Sequence, residues 1–155
     1  MGAVLSALAA ALIVAGCGGG NGDESSEISK PAFVEKGGAI CVATRRQIRS
    51  DFEAYRKGPE GREIEKAEQA NELTPEEAAA KVGKEVIVPV MKQELEEFRA
   101  LGIPPGGDNQ VTALLDAFAE GIEAAERHPE RVATDGSEAF GKSGRLADDY
   151  GLEGC

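Results

Sequence analysis

The stretch TPEEAAAKVGKEVIVPVMKQELEEFRALG (residues 74–102) carries the clearest fold signal in the chain. Thr74 can cap a helix with its hydroxyl oxygen, Pro75 suits the first helical position, and Glu77 stands three residues after the cap. Behind this capping box, large apolar residues recur at helical spacing. They are Val82, Val86, Val90, Leu95, Phe98 and Leu101. The stretch predicts a long helix, which Pro89 should kink because it lacks an N–H and crowds the preceding turn.

A second helical pattern lies upstream of this stretch. Ser29 can cap a helix that continues to Tyr55 and ends at Gly58. Its small or apolar positions have helical spacing and include Phe33, Gly37, Ile40, Cys41, Thr44, Ile48 and Phe52. Residues 62–73 are mostly charged residues and alanine, so they predict a short exposed helix.

Two more helices are predicted downstream. Asp108 can cap a helix that ends at His128, and a loop to Gly136 leads to a last short helix from about Ser137. The first of these helices has one apolar stripe, formed by Val111, Leu114, Leu115, Phe118 and Ile122.

Two glycines are placed to end helices. Gly102 and Gly151 can each adopt the left-handed conformation after a helix, with the next residue, Ile103 or Leu152, folding back on the last turn. Long period-2 alternation does not occur in the sequence. We therefore expect an all-α domain over residues 29–155, packed as a small antiparallel bundle of four or five helices.

Composition limits both the core and the partners of this domain. Hydrophobic residues make up 41% of the chain but aromatic residues only 5%, so the core should be aliphatic and modest. The formal net charge is −11, and no charged side chain precedes Asp23. Such an excess of negative charge repels nucleic acid, so we expect no nucleic-acid partner.

The first residues have the character of an export signal. Residues 1–16 are uncharged and mostly small or aliphatic, and they are too short to span a bilayer comfortably as a helix. The run ends at Val14-Ala15-Gly16-Cys17, which resembles the lipobox of bacterial lipoproteins, although no basic residue precedes it. The resemblance implies a cleaved signal peptide (1–16), lipidation of Cys17 and a flexible, membrane-anchored tether (17–28).

The other two cysteines form an even pair in a chain that we expect to be exported. Disulfides persist outside the cytosol, so Cys41 and Cys155 should be bonded to each other. A bond that closes so long a loop stabilises the folded chain by about 4 to 5 kcal/mol in the chain-entropy model. A redox-active thiol pair is the alternative, but the Cys-x-x-Cys spacing is missing.

The inventory of catalytic and metal-binding residues is small. His128 is the one histidine, and it stands at a predicted helix end, where it can interact favourably with the helix C-terminus. Ser-His-Asp and Cys-His devices or a ferritin-like metal site would have to use it, so we expect no catalytic residue, metal or cofactor.

The carboxylates at helical spacing predict a solvated face. They are Asp116, Glu120 and Glu123 on one helix and Glu94 and Glu97 on another. A weak acidic patch that binds a divalent cation or a basic partner is the alternative for Asp116, Glu120 and Glu123.

Several phrases of the chain resemble a group of actinobacterial lipoproteins with a small helical exported domain. They are the lipobox, Phe33 with Ile40-Cys41, FRALGIPPGGDNQV (98–111) and ADDYGLEGC (147–155). The resemblance implies a lipid-anchored helical domain with a Cys41–Cys155 bond, and it supplies no activity.

An anchor combined with so few catalytic residues favours a binding function. We expect a non-catalytic lipoprotein on the extracytoplasmic face of the cell membrane that binds an envelope protein, a wall component or a small ligand through a groove between helices. One alternative is an envelope hydrolase, which needs two carboxylates about 5 to 10 Å apart in a cleft. Another is a structural or chaperone-like spacer, which needs an exposed apolar patch.

Overall fold

A computed structural model describes residues 27–155, and this part of the chain is helical without a strand. Its elements are α1 (Lys30–Lys57), α2 (Pro59–Gln69), α3 (Pro75–Val82), α4 (Val88–Ala100), α5 (Asp108–Arg127), α6 (Pro129–Thr134) and α7 (Ser137–Tyr150). A π-helical segment, Gly83–Ile87, joins α3 to α4 as one continuous helix. Six helices therefore make up the described part of the chain. The predicted all-α class is confirmed, and the predicted number of four or five helices is too low because residues 129–134 form an additional helix.

The predicted helix starts are confirmed at two of the caps. The Ser29 hydroxyl accepts a hydrogen bond from the backbone N–H of Ala32 at 3.4 Å. The Glu77 carboxylate accepts one from the Thr74 N–H at 2.8 Å, and Thr74 accepts one in return from the Glu77 N–H at 3.2 Å. These bonds satisfy N–H groups that have no partner within the helix. The bonds that the Thr74 N–H and hydroxyl donate to the Glu77 carboxylate also hold the pKa of Glu77 below its usual value.

The irregular part of the long helix is the π-helical segment, which ends two residues before Pro89. In the π-helical segment the Val88 N–H donates to the Gly83 carbonyl, five residues back. This wider turn interrupts the α-helical hydrogen bonds ahead of the residue that lacks an N–H. Gly83 also permits close packing here, since a Cβ atom at this position would lie 2.0 Å from the carbonyl oxygen of Pro129.

Three local predictions around α5 are wrong. Residues 129–134 form a helix, not a loop, because Pro129 suits its first position and Val132 packs beneath it on Val88 and Ala125. The N-cap of α5 is Gly107 and not Asp108.

The third wrong prediction concerns a helix end. Ile103 does not fold back after Gly102, since it is 41% exposed. Leu152 follows Gly151 in the same sequence pattern and is fully buried, at 0% exposure. Its N–H donates to the Ala147 carbonyl at 2.8 Å, which closes the turn.

The main core lies between α1, α4, α5 and α7. It includes Phe33, Leu95, Phe98, Val111, Leu114, Phe118, Ile122, Tyr150 and Leu152. Along α1, burial ends with Thr44, and the rest of its predicted apolar face does not enter this core. Phe52 is 37% exposed. The second half of α1 therefore leaves part of its apolar face uncovered, although α1 also contacts α2 and the π-helical segment.

The predicted pairing of Cys41 with Cys155 is supported by their distance. The two sulfur atoms lie 1.96 Å apart and the Cα atoms 5.2 Å apart, across 114 residues of sequence. The bond ties the end of the chain to the middle of α1.

The predicted signal peptide, the lipobox and Cys17 lie outside residues 27–155. Within that range, Ile28, at the end of the predicted tether, packs against the core. None of the helices there has the length and apolarity required to cross a membrane.

Candidate functional site

Three polar side chains are buried inside the described domain. They come from three helices: Thr44 from α1, Glu94 from α4 and Ser143 from α7, each 6–7% exposed. Burying a polar or ionisable side chain is unfavourable unless it has a partner, so such residues in a small core call for an explanation.

Glu94 and Ser143 line a cavity of about 70 Å³, which we call the Glu94 cavity. Its other walls are apolar and include Met91, Phe98, Leu114, Leu115, Phe118 and Phe140. One water molecule needs roughly 10–15 Å³ of such space. The Glu94 cavity therefore has room for a small ligand or for the end of a larger one.

The ionisation of Glu94 is set by its surroundings. Burial raises the pKa of its carboxyl group to about 7, a nearby Glu97 acts in the same direction, and a hydrogen bond to Thr44 and the charge of Arg45 oppose the rise. Near neutral pH this carboxyl group is thus divided between its acid and its carboxylate. It can donate a hydrogen bond in the first form and accept two or more in the second.

The disulfide forms one wall of the Glu94 cavity. Both Cys41 and Cys155 line it, as does Leu152. On another side, the Ser143 hydroxyl donates to the Phe140 carbonyl at 2.9 Å, so its oxygen remains able to accept a hydrogen bond. One wall of the cavity is therefore held in place by the disulfide at the end of the chain.

The prediction that Glu94 belongs to a solvated face is wrong. Glu94 lies four residues after Val90 and four before Phe98, which places it on the buried stripe of α4. This spacing is visible in the sequence and was the signal that could have identified it. Charge alone suggested exposure, but position on the helix decided burial.

The acidic residues of α5 do lie on a solvated face. Asp116, Glu120 and Glu123 are exposed. Glu120 pairs with Lys142 at 2.7 Å and Glu123 with Arg127 at 3.7 Å. No cluster of three or more histidine, cysteine or acidic side chains suited to a metal ion occurs within residues 27–155.

His128 lies apart from the Glu94 cavity. Its side chain is 54% exposed, and its Nδ1 atom is 3.5 Å from a carboxylate oxygen of Glu130. The residue caps the end of α5, as the sequence predicts.

Comparison with protein-family models, curated proteins and solved structures found no match to this chain.

Proposed function

We propose that the protein is a non-catalytic, lipid-anchored binding protein of the cell envelope. In this proposal residues 1–16 are a signal peptide, residues 17–28 are a tether lipidated at Cys17, and the helices of residues 29–155 form a small antiparallel bundle. The resemblance to actinobacterial lipoproteins supports this arrangement. So does the disulfide-distance pair Cys41–Cys155, because such bonds persist in oxidising compartments.

The Glu94 cavity is the observation that carries the binding function. A concave, largely apolar pocket with a few polar groups is the usual form of a small-molecule site. Glu94 and Ser143 supply two polar groups among apolar walls. The matching ligand has a compact apolar part and one head group, an amine or a hydroxyl, that donates a hydrogen bond to Glu94.

The number of carboxylates in the cavity favours binding over hydrolysis. A glycosidase-like mechanism uses two carboxyl groups, one as acid and one as base or nucleophile. Glu94 is the single acidic residue lining this cavity. It suits recognition of a head group, and it lacks the second carboxylate that hydrolysis of this type requires.

A pair of glycine substitutions tests the binding function. Gly144 lines the cavity, and a Cβ atom built there meets nothing within 4 Å, so Gly144→Leu adds a side chain at the cavity without a clash at Cβ. Gly38 also has open space at Cβ but lies on α1 outside the cavity lining, so Gly38→Leu is the matched control.

The measurement is a thermal-shift screen with short alkyl and aryl amines and alcohols. We expect compounds that stabilise the native protein and the Gly38→Leu variant but not the Gly144→Leu variant. Equal stabilisation of all three proteins would place binding elsewhere. Turnover of any screened compound would contradict the non-catalytic part of the proposal.

The anchor is tested in cells with a palmitate analogue. We expect the native chain to be labelled and Cys17→Ala to remain unlabelled, with Cys41→Ala as the control that keeps its label. Label on the Cys17→Ala chain would refute lipidation at this residue.

A further inference from the structure

A second concave surface lies along the part of α1 that follows Thr44, and we call it the Phe52 groove. Its floor is formed by Ile48, Phe52, Val82, Ile87 and Ala133, which come from α1, α3, the π-helical segment and α6. The space is about 400 Å³, within the range of ligand pockets. Phe52 is 37% exposed, and the guanidinium carbon of Arg56 lies 5.8 Å from the centre of its ring.

The charged side chains of this part of the groove are both arginines. Arg45 and Arg49 lie one helical turn apart on α1 and line the floor together with its apolar residues. Both are exposed, and the charge of Arg45 also acts on the carboxyl group of Glu94. A chain with a net charge of −11 thus presents two exposed guanidinium groups beside an apolar surface.

The charge changes along the groove. Beyond Phe52 the surface continues into a second compartment of about 410 Å³, which shares Phe52, Val82 and Ala133 with the first. Glu65 and Glu68 line that far compartment, beside Arg56. The arginine end therefore attracts an anion, and the far end does not.

We propose that the Phe52 groove binds a long-chain carboxylate. The carboxylate head pairs with Arg49, since a guanidinium group can hold both oxygens of a carboxylate at once, and Arg45 adds positive charge one helical turn away. The alkyl chain lies on the apolar floor and passes Phe52 toward the second compartment. This site is separate from the Glu94 cavity and does not depend on the function proposed for it.

The charge asymmetry favours this ligand over an acidic peptide. An acidic helix lying along the groove would bring carboxylates to Arg45 and Arg49, but also to Glu65 and Glu68, where like charges repel. A single anionic head followed by an uncharged chain meets the arginines alone. Its one charge and its apolar length match the order of side chains along the groove.

Photo-crosslinking on the full chain tests the site. The chain is reconstituted in discs of zwitterionic phospholipid and exposed to decanoate that carries a diazirine near the end of its alkyl chain. We expect label on peptides that contain Phe52, Val82 or Ala133. Decanol and decylamine probes with the same photoreactive group should label these peptides at least about tenfold less, because charge-assisted hydrogen bonds are lost.

Competition with unlabelled carboxylates measures the contribution of the chain. Each added methylene from octanoate to dodecanoate should strengthen competition by about two- to fourfold, because an open groove buries part of each added group. Competition that is independent of chain length would overturn the role of the apolar floor.

Two variants and a control locate the head and the chain. Arg49→Gln should reduce labelling by about tenfold and Arg49→Lys by less, while Ala133→Leu should block the floor shared by both compartments. Arg127→Gln removes an exposed arginine from α5, outside the groove, and should change nothing. Circular dichroism and the intact disulfide confirm that each variant is folded.

Three outcomes would overturn the proposal. They are labelling that is confined to residues of the Glu94 cavity, equal labelling by the carboxylate, alcohol and amine probes, and displacement of the probe by an acidic helical peptide but not by dodecanoate.

Discussion

The two concave surfaces of this domain differ in how the chain closes them. At the Glu94 cavity, α1, α4, α5 and α7 meet around a continuous core, and a disulfide holds the end of the chain in place. At the Phe52 groove, α1 continues beyond that core and lies beside smaller side chains such as Val82 and Ala133. One amphipathic helix is thus buried along its first half and leaves apolar side chains exposed along its second.

The polar residues of the two regions differ in the same way. Glu94 is buried and has a strongly shifted pKa, whereas Arg45 and Arg49 are exposed. A buried carboxyl group is sensitive to pH and affects stability. Exposed arginines contribute little to stability and can be used in recognition. Changes at the cavity should therefore alter folding, and equivalent changes at the groove should not.

The largest expected effect is at the disulfide. Cys155→Ser removes a bond across 114 residues of sequence, and in the chain-entropy model this lowers the free energy of unfolding by about 4 to 5 kcal/mol. Urea unfolding of the native and variant chains measures the loss. Reductant should destabilise the native chain by a similar amount and leave Cys155→Ser unchanged. A Cys155→Ser chain as stable as the native chain would show that the disulfide does not stabilise the fold.

Alanine substitutions of two phenylalanines compare directly how much each region contributes to the free energy of unfolding. Phe98 is 4% exposed in the main core, so Phe98→Ala should lower the free energy of unfolding by about 3 to 5 kcal/mol. Phe52 is 37% exposed, so Phe52→Ala should lower it by about 1 kcal/mol or less. Urea unfolding checks both values. Similar losses for the two variants would mean that the side chain of Phe52 stabilises the fold as much as a core residue does.

The Glu94 carboxyl group gives the cavity a pH-dependent stability. Its pKa is about 7 in the folded chain and near the ordinary value of 4.5 in the unfolded chain. Between these values the folded protein holds a proton that the unfolded chain has released, so stability falls as pH rises from 4.5 through 7. The full loss is about 3 kcal/mol at pH values above 8.

Glu94→Gln removes this loss, because the amide cannot ionise. The variant should match the native chain near pH 4.5 and exceed it by up to about 3 kcal/mol above pH 8. Urea unfolding at a series of pH values measures the difference. Glu96 is exposed and lies two residues after Glu94 on the same helix. The stability of Glu96→Gln should therefore vary with pH as that of the native chain does. A constant difference between Glu94→Gln and native chains would contradict the pKa of Glu94.

The helices could be predicted from the sequence because their signals are local. The Thr74 capping box and the stripe of α5 follow from neighbouring residues, and the structure has both. The helix α6 was missed because six residues carry too short a pattern, and it is the packing of Val132 that stabilises it. Neither concave surface could be predicted, because each depends on helices that are distant in the sequence.

The Glu94 cavity shows where helical position was more informative than residue type. Glu94 stands on the buried stripe of α4, yet a charged residue on a helix is exposed in most proteins. The position of Ser143 and the cavity wall at Cys155 follow from the packing of α7 and the chain end onto α1 and α4. A single sequence contains the stripe but not the neighbour that covers it.

The smallest expected effect is at the Thr74 cap of α3, the helix that contributes Val82 to the Phe52 groove. Thr74→Ala removes the hydroxyl oxygen that accepts from the Glu77 N–H, which should lower stability by about 1 kcal/mol. If the groove side is the more loosely held of the two, the loss should appear mainly as faster hydrogen exchange in α3, with little change in α5 and α7.

Ser29→Ala removes the matching oxygen at the start of α1, beside the main core, and is the control. Because Phe33, four residues after that cap, is fully buried in the main core, loss of the Ser29 cap should speed exchange across the whole domain together. A Thr74→Ala effect spread evenly over all helices would show that both regions unfold as one unit.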